Sequence, residues 1–515
     1  MRLVKFRWRV SLQIWGRLLL FLALVPTWAP GVVVATEPVV SAMGQSGGEF
    51  RLEIKEAAGG VVVQESRDFF RWDDLTFEAE AFTGAKELRV HATNGNRFFR
   101  TRAGTRLAPP PELSTNDIFQ PYVRRVPEVT TVLSEGLAGR IRVERIRFRS
   151  FEGTSDGGVT TNEIFAVIAR PITNAVRSLP GILLCHRGDG SVQEWLAIEW
   201  AKLGFVAITP EFPGWVYVAG MESISRHRTV DGSQWHAVPN ARASTLFDGM
   251  VAGLGAFNLL EDMDEVDPEK LYIHGVSLGG YATTMLCGLL DVRVKRAFSL
   301  FGCGFFLDGT LWESFIRAMG EAEQQEWMKN LDAGARIDRV RATMLYYVPS
   351  NDRFFPPPAF NRTYDEIQSP KYICVAPNNS HVFTTLPGGM LDTDGLSWTS
   401  MERLFMLNGV DGIERPLPKV YRGERKARTV KIHIAGLNAD GEVWGYYSKN
   451  LEKPWTERLW EKLQVLNATD GYEVVFPDDA GMVDWFAGCS FDLSAGPLMK
   501  RVSLGTKVFR DNWSE

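Results

Sequence analysis

Leu271-Tyr272-Ile273-His274-Gly275-Val276-Ser277-Leu278-Gly279-Gly280 decides the fold. An apolar run rich in strand formers ends in Gly-x-Ser-x-Gly, and an apolar helical pattern, Tyr281 to Leu290, follows at once. Strand, tight turn and helix are the context that a nucleophile elbow requires. In so tight a turn the residues two before and two after the serine, Gly275 and Gly279, have no room for a side chain. The Ser277 hydroxyl is pushed out above the sheet. The Leu278 N–H, at the helix start, points at the same place and suits a developing oxyanion.

Outward from this stretch, strand and helix patterns alternate. Ahead of it, Ile141 to Phe151 and Glu163 to Ala169 predict an antiparallel pair. Gly181–His186 (strand), Glu194–Leu203 (helix), Val206–Pro210 (strand) and Ala243–Leu260 (helix) lead to the elbow strand. Beyond it come Arg296–Phe301 (strand), a helical excursion through Trp312–Ala333 and Met344–Val348 (strand). A short helix near Ala359–Ile367, the strand Tyr372–Ala376 and a last helix near Leu396–Leu407 follow. Strands separated by helices imply an α/β fold with a mostly parallel, doubly wound sheet covered on both faces. Ligands then bind beyond the carboxyl ends of the strands.

On both flanks the pattern turns to β. From Gly48 to Arg102 apolar residues recur with period two (Phe50, Leu52, Ile54, then Leu88 and Val90), which predicts a small N-terminal β module. Pro109-Pro110-Pro111 reads as a linker. After Arg415-Pro416-Leu417-Pro418 and a basic connector, Arg422 to Arg428, strand patterns return through Thr429–Ile434, Glu442–Tyr447, Tyr472–Phe476, Val483–Ser490 and Arg501–Phe509. They predict a C-terminal β-sandwich-like domain with one short helix near Trp460. The expected divisions are an export signal over 1–35, the β module over 36–112, the α/β catalytic domain over 113–415 and the β-rich domain over 416–515.

The signal reading rests on Arg2, Lys5, Arg7, Arg9 and Arg17 ahead of an apolar run from Leu18 to Val25, with small residues at Val33-Val-Ala35. The run falls short of the ~20 residues that a membrane span needs; an uncleaved anchor is the alternative. Export predicts a secreted or periplasmic protein with no membrane partner in its mature form. Residues 1–35 hold five basic and no acidic side chains, so the mature chain carries 52 basic against 62 acidic groups, net −10. That balance argues against nucleic acid or an anionic membrane as a partner. Cys185, Cys287, Cys303, Cys374 and Cys489 are odd in number, and the first four lie inside apolar patterns, so free buried thiols are expected rather than disulfides. No spacing of cysteines or histidines suggests a metal, and no cofactor is expected.

A serine nucleophile needs a base that an acid orients. In this kind of fold the order is serine, acid, histidine. Of seven histidines, His91 and His433 lie in the flanking β regions, and His186, His227, His236 and His274 precede Ser277. His381, in Pro377-Asn-Asn-Ser-His381, remains. The strand before it runs into Pro349-Ser-Asn-Asp352, and Asp352 is the candidate acid, with a turn or helix cap as its bland alternative. Once protonated, His381 cannot serve as base, so activity falls on acidification. The second oxyanion donor is expected on the glycine-rich turn of Cys185-His186-Arg187-Gly188-Asp-Gly190, with Gly188 N–H first and Arg187 N–H the alternative. His186 itself reads as a structural loop residue. Glu211 and Trp215, just past a strand end, are candidate substrate residues. Trp215, Trp235 and Phe354 line an acyl or sugar site or else pack a lid, and the Trp312–Ala333 excursion is a partial lid or an ordinary covering helix.

These residues resemble the α/β-hydrolase superfamily. The segment Phe165-Ala-Val-Ile-Ala-Arg-Pro171, the strand ending Cys-His-Arg-Gly, and Glu265-Val-Asp-Pro-Glu-Lys are similar to acetyl xylan esterases and dienelactone hydrolase-like members. His186-Arg187 departs from their usual His-Gly pair. Asn351-Asp352-Arg-Phe-Phe-Pro, Pro377-Asn-Asn-Ser-His381 and the β-rich tail resemble the PhoPQ-activated pathogenicity-related hydrolases. The resemblance implies a hydrolase that cleaves an ester or amide. The leading expectation is a serine esterase acting on acetyl or other short acyl groups of a small molecule or glycan. A serine peptidase of the prolyl-oligopeptidase kind is the first alternative; its propeller blades take ~40–45 residues each, and the N-terminal module holds two at most. A binding protein on an inactive hydrolase scaffold is the second.

Overall fold

The computed structural model describes the chain from residue 109 on, except 156–157, 175, 189, 216–222, 227–233, 382–397, 412, 415–416, 438–440, 469–470, 496–497 and 514–515. Before that it describes only the strands Val4–Lys5, Val39–Ser46, Glu49–Ala57, Val61–Ser66, Asp73–Asp74, Phe82–His91 and Phe98–Ala103. The expected export signal, apart from Val4–Lys5, lies outside the described residues.

Two compact units divide the chain. The first comprises Met1–Leu107 with Gly412–Lys419 and Ala435–Ala439. Its described strands form two four-stranded sheets. The period-two apolar residues of its sequence meet there, Phe50 opposite Val90 and Leu52 opposite Leu88.

The second unit comprises Ala108–Asp411, Val420–Ile434 and Asp440–Glu515. Its first strands are β1 (Val129–Ala138), β2 (Ile141–Ser155), β3 (Gly158–Pro171), β4 (Leu179–Cys185) and β5 (Val206–Pro210). Next come β6 (Val266–Val276), β7 (Arg296–Leu300), β8 (Thr343–Pro349) and β9 (Lys371–Ala376). They lie in the order β1-β2-β3-β5-β4-β6-β7-β8-β9. From β5 across to β9 every pairing is parallel, while β3 runs antiparallel to both β2 and β5. The mixed sheet matches the expected α/β architecture.

Burial explains these strands. Ile182 to Cys185 and Val206 to Ile208 are wholly buried, because helices cover both faces and an alternating polar residue would have no water to meet. The strand β1 was not anticipated. It is an edge strand whose side chains are almost all exposed, so no burial pattern marks it.

The helices are α1 (Glu194–Lys202), α2 (Thr245–Asp262), α3 (Leu278–Leu290), α4 (Glu313–Arg317), α5 (Glu321–Leu331), α6 (Pro357–Glu366) and α7 (Trp398–Leu407). Every residue of α3 is buried, as its all-round apolar sequence demands. Ser244 caps α2, its hydroxyl accepting from the Leu246 N–H at 3.2 Å. The predicted excursion is two helices, α4 and α5, with Gly320 as the N-cap of the second. All five cysteines are buried and free, as expected.

The C-terminal part is built of strands. They are β10 (Lys419–Lys426), β11 (Thr429–Ala435), β12 (Glu442–Ser448), β13 (Glu461–Lys462), β14 (Gln464–Ala468), β15 (Gly471–Val475), β16 (Met482–Ala495), β17 (Leu498–Gly505) and β18 (Phe509–Asn512). Strands β17, β16, β12 and β13 continue the central sheet beyond β9, through Ile373 opposite Gly505, and make it fourteen strands with β18 on β16. A second sheet, β10-β11-β15-β14, supplies Val430, Ile432 and Val474 to a core shared with Tyr447, Val483, Trp485 and Trp513. Two β layers therefore pack face to face, but one of them is the edge of the central sheet. Residues 440–515 belong to the same compact unit as the α/β core. The predicted short helix near Trp460 is a single 3-10 turn, Trp455–Glu457.

Candidate active site

The elbow forms as the glycines require. Ser277 follows β6 as the N-cap of α3 at φ 59°, ψ −120°, a positive φ that costs a non-glycine residue on the order of 1–3 kcal/mol. Surrounding bonds hold it there: its N–H donates to the Leu300 carbonyl at 2.8 Å, and its carbonyl accepts from the Tyr281 N–H at 3.0 Å. A Cβ on Gly275 would lie 2.0 Å from the Gly279 carbonyl oxygen, and one on Gly279 would lie 2.2 Å from the Cys185 carbonyl oxygen. Both obstacles are backbone, so neither gives way.

Ser277 Oγ stands 2.7 Å from His381 Nε2, and His381 Nδ1 stands 2.7 Å from Asp352 Oδ2. The other oxygen of Asp352 accepts from the Phe354 and Phe355 N–H groups at 2.7 and 3.0 Å. The carboxylate is fully buried, and the imidazole keeps an exposed fraction of 11%. A carboxylate on Nδ1 puts the ring proton there and leaves Nε2 to accept from the serine hydroxyl. The three residues, up to 104 apart in the chain, meet at the carboxyl ends of β6, β8 and β9. Phe301 and Phe354 pack against the imidazole at 4.8 and 4.5 Å.

The predicted oxyanion donors are Leu278 and Gly188. Leu278 begins α3, where intrahelical bonding leaves the first N–H groups open. Gly188 lies against the Leu278 side chain, whose Cδ1 would be 2.4 Å from a Cβ at that position. His186 is structural: its Nδ1–H donates to the Arg187 carbonyl at 2.6 Å, and its Nε2 accepts from the Phe212 N–H at 2.9 Å.

Two predicted substrate residues are corrected. Glu211 is fully buried. Its carboxylate accepts from the Ser191 and Ser223 hydroxyls at 3.2 and 2.8 Å and from the N–H and hydroxyl of Ser225 at 2.8 and 2.5 Å. Trp215 is fully buried too, stacked on Phe212 at 4.7 Å with its N–H toward the Thr245 carbonyl at 3.4 Å. Both serve the chain itself, because a strand-end position does not say which way a side chain turns. Trp235 and Phe354 remain half-buried.

The residues that sequence reasoning missed hold the loops of Asp352 and His381. Asn351 donates to the Trp455 and Arg458 carbonyls at 2.8 and 2.6 Å. Asn378 donates to the Trp460 carbonyl and accepts from the Trp460 N–H, both at 2.8 Å. Ser350 joins the two, its hydroxyl accepting from the Asn378 N–H at 2.8 Å and donating to Asn351 Oδ1 at 2.6 Å. Residues 455–460, just ahead of β13, therefore brace the loops that carry Asp352 and His381. One local signal was available: Asn378 has φ 53°, and asparagine visits the left-handed region more readily than other non-glycine residues.

His274, three residues before Ser277, takes no part in the Ser277–His381–Asp352 chain. It is buried against Glu402, with Nε2 3.6 Å from Oε2, and stacks on Phe298 at 5.6 Å. Burial holds both groups neutral. It lowers His274 to about 3 and raises Glu402 to about 8, against smaller opposing pulls from Arg403 and the Trp200 indole. A raised carboxyl contributes stability that is full below its unfolded value, near 4.3, and is lost as pH climbs toward 8. The lowered imidazole works in the opposite direction, losing stability as pH falls below about 6.5. Between pH 6.5 and 8 Glu402 therefore acts alone of the two. Glu402→Gln removes a loss of about 1.4 kcal/mol per pH unit there. Urea unfolding of both proteins at pH 6.5 and 8 checks this, and parallel pH dependences would refute it.

Among the described residues no group of three His, Cys, Asp or Glu side chains is placed to hold a metal ion, and no helix is long and apolar enough to cross a membrane. No family model matches the chain, and no curated protein matches it. Solved structures of similar fold include the acetyl xylan esterase from Paenibacillus sp. R4, at 17% identity over 54% of this chain and 93% of that one, TM-score 0.42. Acetyl xylan esterase 1 from Thermoanaerobacterium sp. JW/SL YS485 is similar at 19% identity over 59% and 95%, TM-score 0.42. Est1E from Butyrivibrio proteoclasticus is similar at 13% identity over 46% and 91%, TM-score 0.32.

Proposed function

We propose that this protein is a serine esterase of the α/β-hydrolase kind, cleaving carboxylic esters of acetyl or another short acyl group through an acyl-enzyme. The unbroken relay from Ser277 through His381 to Asp352, with 2.7 Å at each step, carries the reading. Ser277 Oγ attacks the ester carbonyl as its proton passes to His381 Nε2. The Leu278 and Gly188 N–H groups take the oxyanion, where loss of one such donor typically costs ~10²–10³ in rate. Asp352 steadies the imidazolium without taking its proton. Collapse breaks the carbon–oxygen bond, and the leaving alkoxide receives the proton from Nε2. Water then adds to the acyl carbon, giving its proton to Nε2, and the free acid leaves as Ser277 Oγ regains a proton.

The basic start and short apolar run support export, and hence a secreted or periplasmic place for the mature chain. Incubation with a fluorophosphonate probe should label Ser277 stoichiometrically, with p-nitrophenyl acetate hydrolysis lost in parallel. A folded protein that neither labels nor hydrolyses would leave the inactive-scaffold alternative in its place.

A further inference from the structure

An aromatic wall begins at the catalytic imidazole and runs away from it. Phe354, whose ring lies 4.5 Å from that of His381, is 5.5 Å from Trp312, which is stacked on Trp235 at 5.2 Å. Buried Phe306 and Phe355 back Trp312 at 5.6 and 5.0 Å. Phe301 on the imidazole is buried, whereas Phe354, Trp312 and Trp235 all keep exposed surface. Beside them Leu311, bonded to the Phe354 carbonyl through its N–H at 3.3 Å, is 43% exposed, and Phe315 is 55% exposed. So much apolar surface in one place marks a contact site.

Its position says which part of an ester it meets. The leaving oxygen must come within reach of His381 Nε2 to be protonated, so the alcohol side of the substrate lies on the flank of the imidazole where the wall starts. Its polarity says what kind of alcohol. Several neighbouring polar side chains are already engaged, and the Arg353 guanidinium lies over the Phe354 ring, 4.4 Å from its centroid: Glu323 accepts from the Ala237 N–H at 2.9 Å and pairs with His236 at 3.0 Å. Glu326 accepts from the Ala241 N–H at 3.1 Å, and Asp308 pairs with Arg362 at 3.3 Å. Hydroxyls placed against the ring faces of Trp312 and Trp235 would lose water without gaining partners.

We infer that Trp312, with Phe354 and Trp235, forms a subsite for a bulky apolar alcohol, so that the preferred esters carry an arylalkyl leaving group. This rests on the esterase reading above. The test compares 3-phenylpropyl acetate with propyl acetate, whose acyl groups are identical and whose alcohols have similar acidity. Burying a phenyl ring against aromatic side chains should raise kcat/KM about 10- to 100-fold. Trp312→Ala should bring that ratio down about tenfold or more, while Trp312→Phe keeps most of it. A wild-type ratio within twofold would overturn the inference while the esterase reading stands. So would faster cleavage of an acetylated methyl xyloside, which would assign the wall to a sugar. If neither acetate is cleaved and the fluorophosphonate fails to label Ser277, the esterase reading falls first and this one with it. Should Trp312→Ala not fold, the wild-type comparison alone decides.

Discussion

Ser277→Ala is expected to lose about 10⁶ of kcat on a short acyl ester, the scale of loss when a triad serine is removed. The loss is total for the covalent route, because no other hydroxyl stands within 2.7 Å of His381 Nε2 in the described relay. Binding and the oxyanion donors remain, and they alone leave a residual of ~10³–10⁴ over water. Folding should be spared. Alanine meets the same positive-φ strain as serine at φ 59°, and the two backbone bonds at residue 277 do not involve the side chain. Steady-state rates and fluorophosphonate labelling of the two proteins, matched in thermal unfolding, test this. Activity within tenfold of wild type would remove Ser277 from the reaction.

Asp352→Asn should cost about 10⁴ in kcat with little change in KM, the size of effect when a triad aspartate becomes its amide. The surroundings of Asp352 dictate how. Oδ1 accepts from the Phe354 and Phe355 N–H groups at 2.7 and 3.0 Å, so an asparagine must place its carbonyl oxygen there. Its NH2 group then faces His381 Nδ1 in the place of Oδ2, 2.7 Å away in the native chain. A donor at that point drives the ring proton to Nε2, and the imidazole can no longer accept from Ser277. The geometry survives and the tautomer is wrong. Rate measurement on the folded variant checks the outcome, and a loss under tenfold would reduce Asp352 to the turn former that its position before the prolines also allowed.

The meeting of Ser277, Asp352 and His381 was legible because each of them sits in a local pattern with its own cause. Gly275 and Gly279 are demanded by backbone contacts of 2.0 and 2.2 Å, and such close approach is written into the sequence as glycine. Asp352 and His381 follow buried apolar runs, and chain order did the rest. The central sheet was legible for a similar reason: runs such as Ile182 to Cys185 are apolar throughout because both faces are covered. The edge strand β1 carried no such mark.

By itself, then, the sequence determined the parallel sheet and the elbow and singled out Ser277, Asp352 and His381, which the fold brings together, since all of these follow from local periodicity, backbone sterics and order along the chain. Only the tertiary structure decided that Glu211 and Trp215 turn inward, and that the C-terminal strands extend the central sheet. It also decided that residues 455–460 hold Asn351 and Asn378 across separations of 82 to 107 residues. Strand patterns specify which face is buried and leave open which edge a strand joins. A hydrogen-bond partner a hundred residues away leaves no periodic trace, so the bracing of the Asp352 and His381 loops is set where the folded chain brings those backbones together.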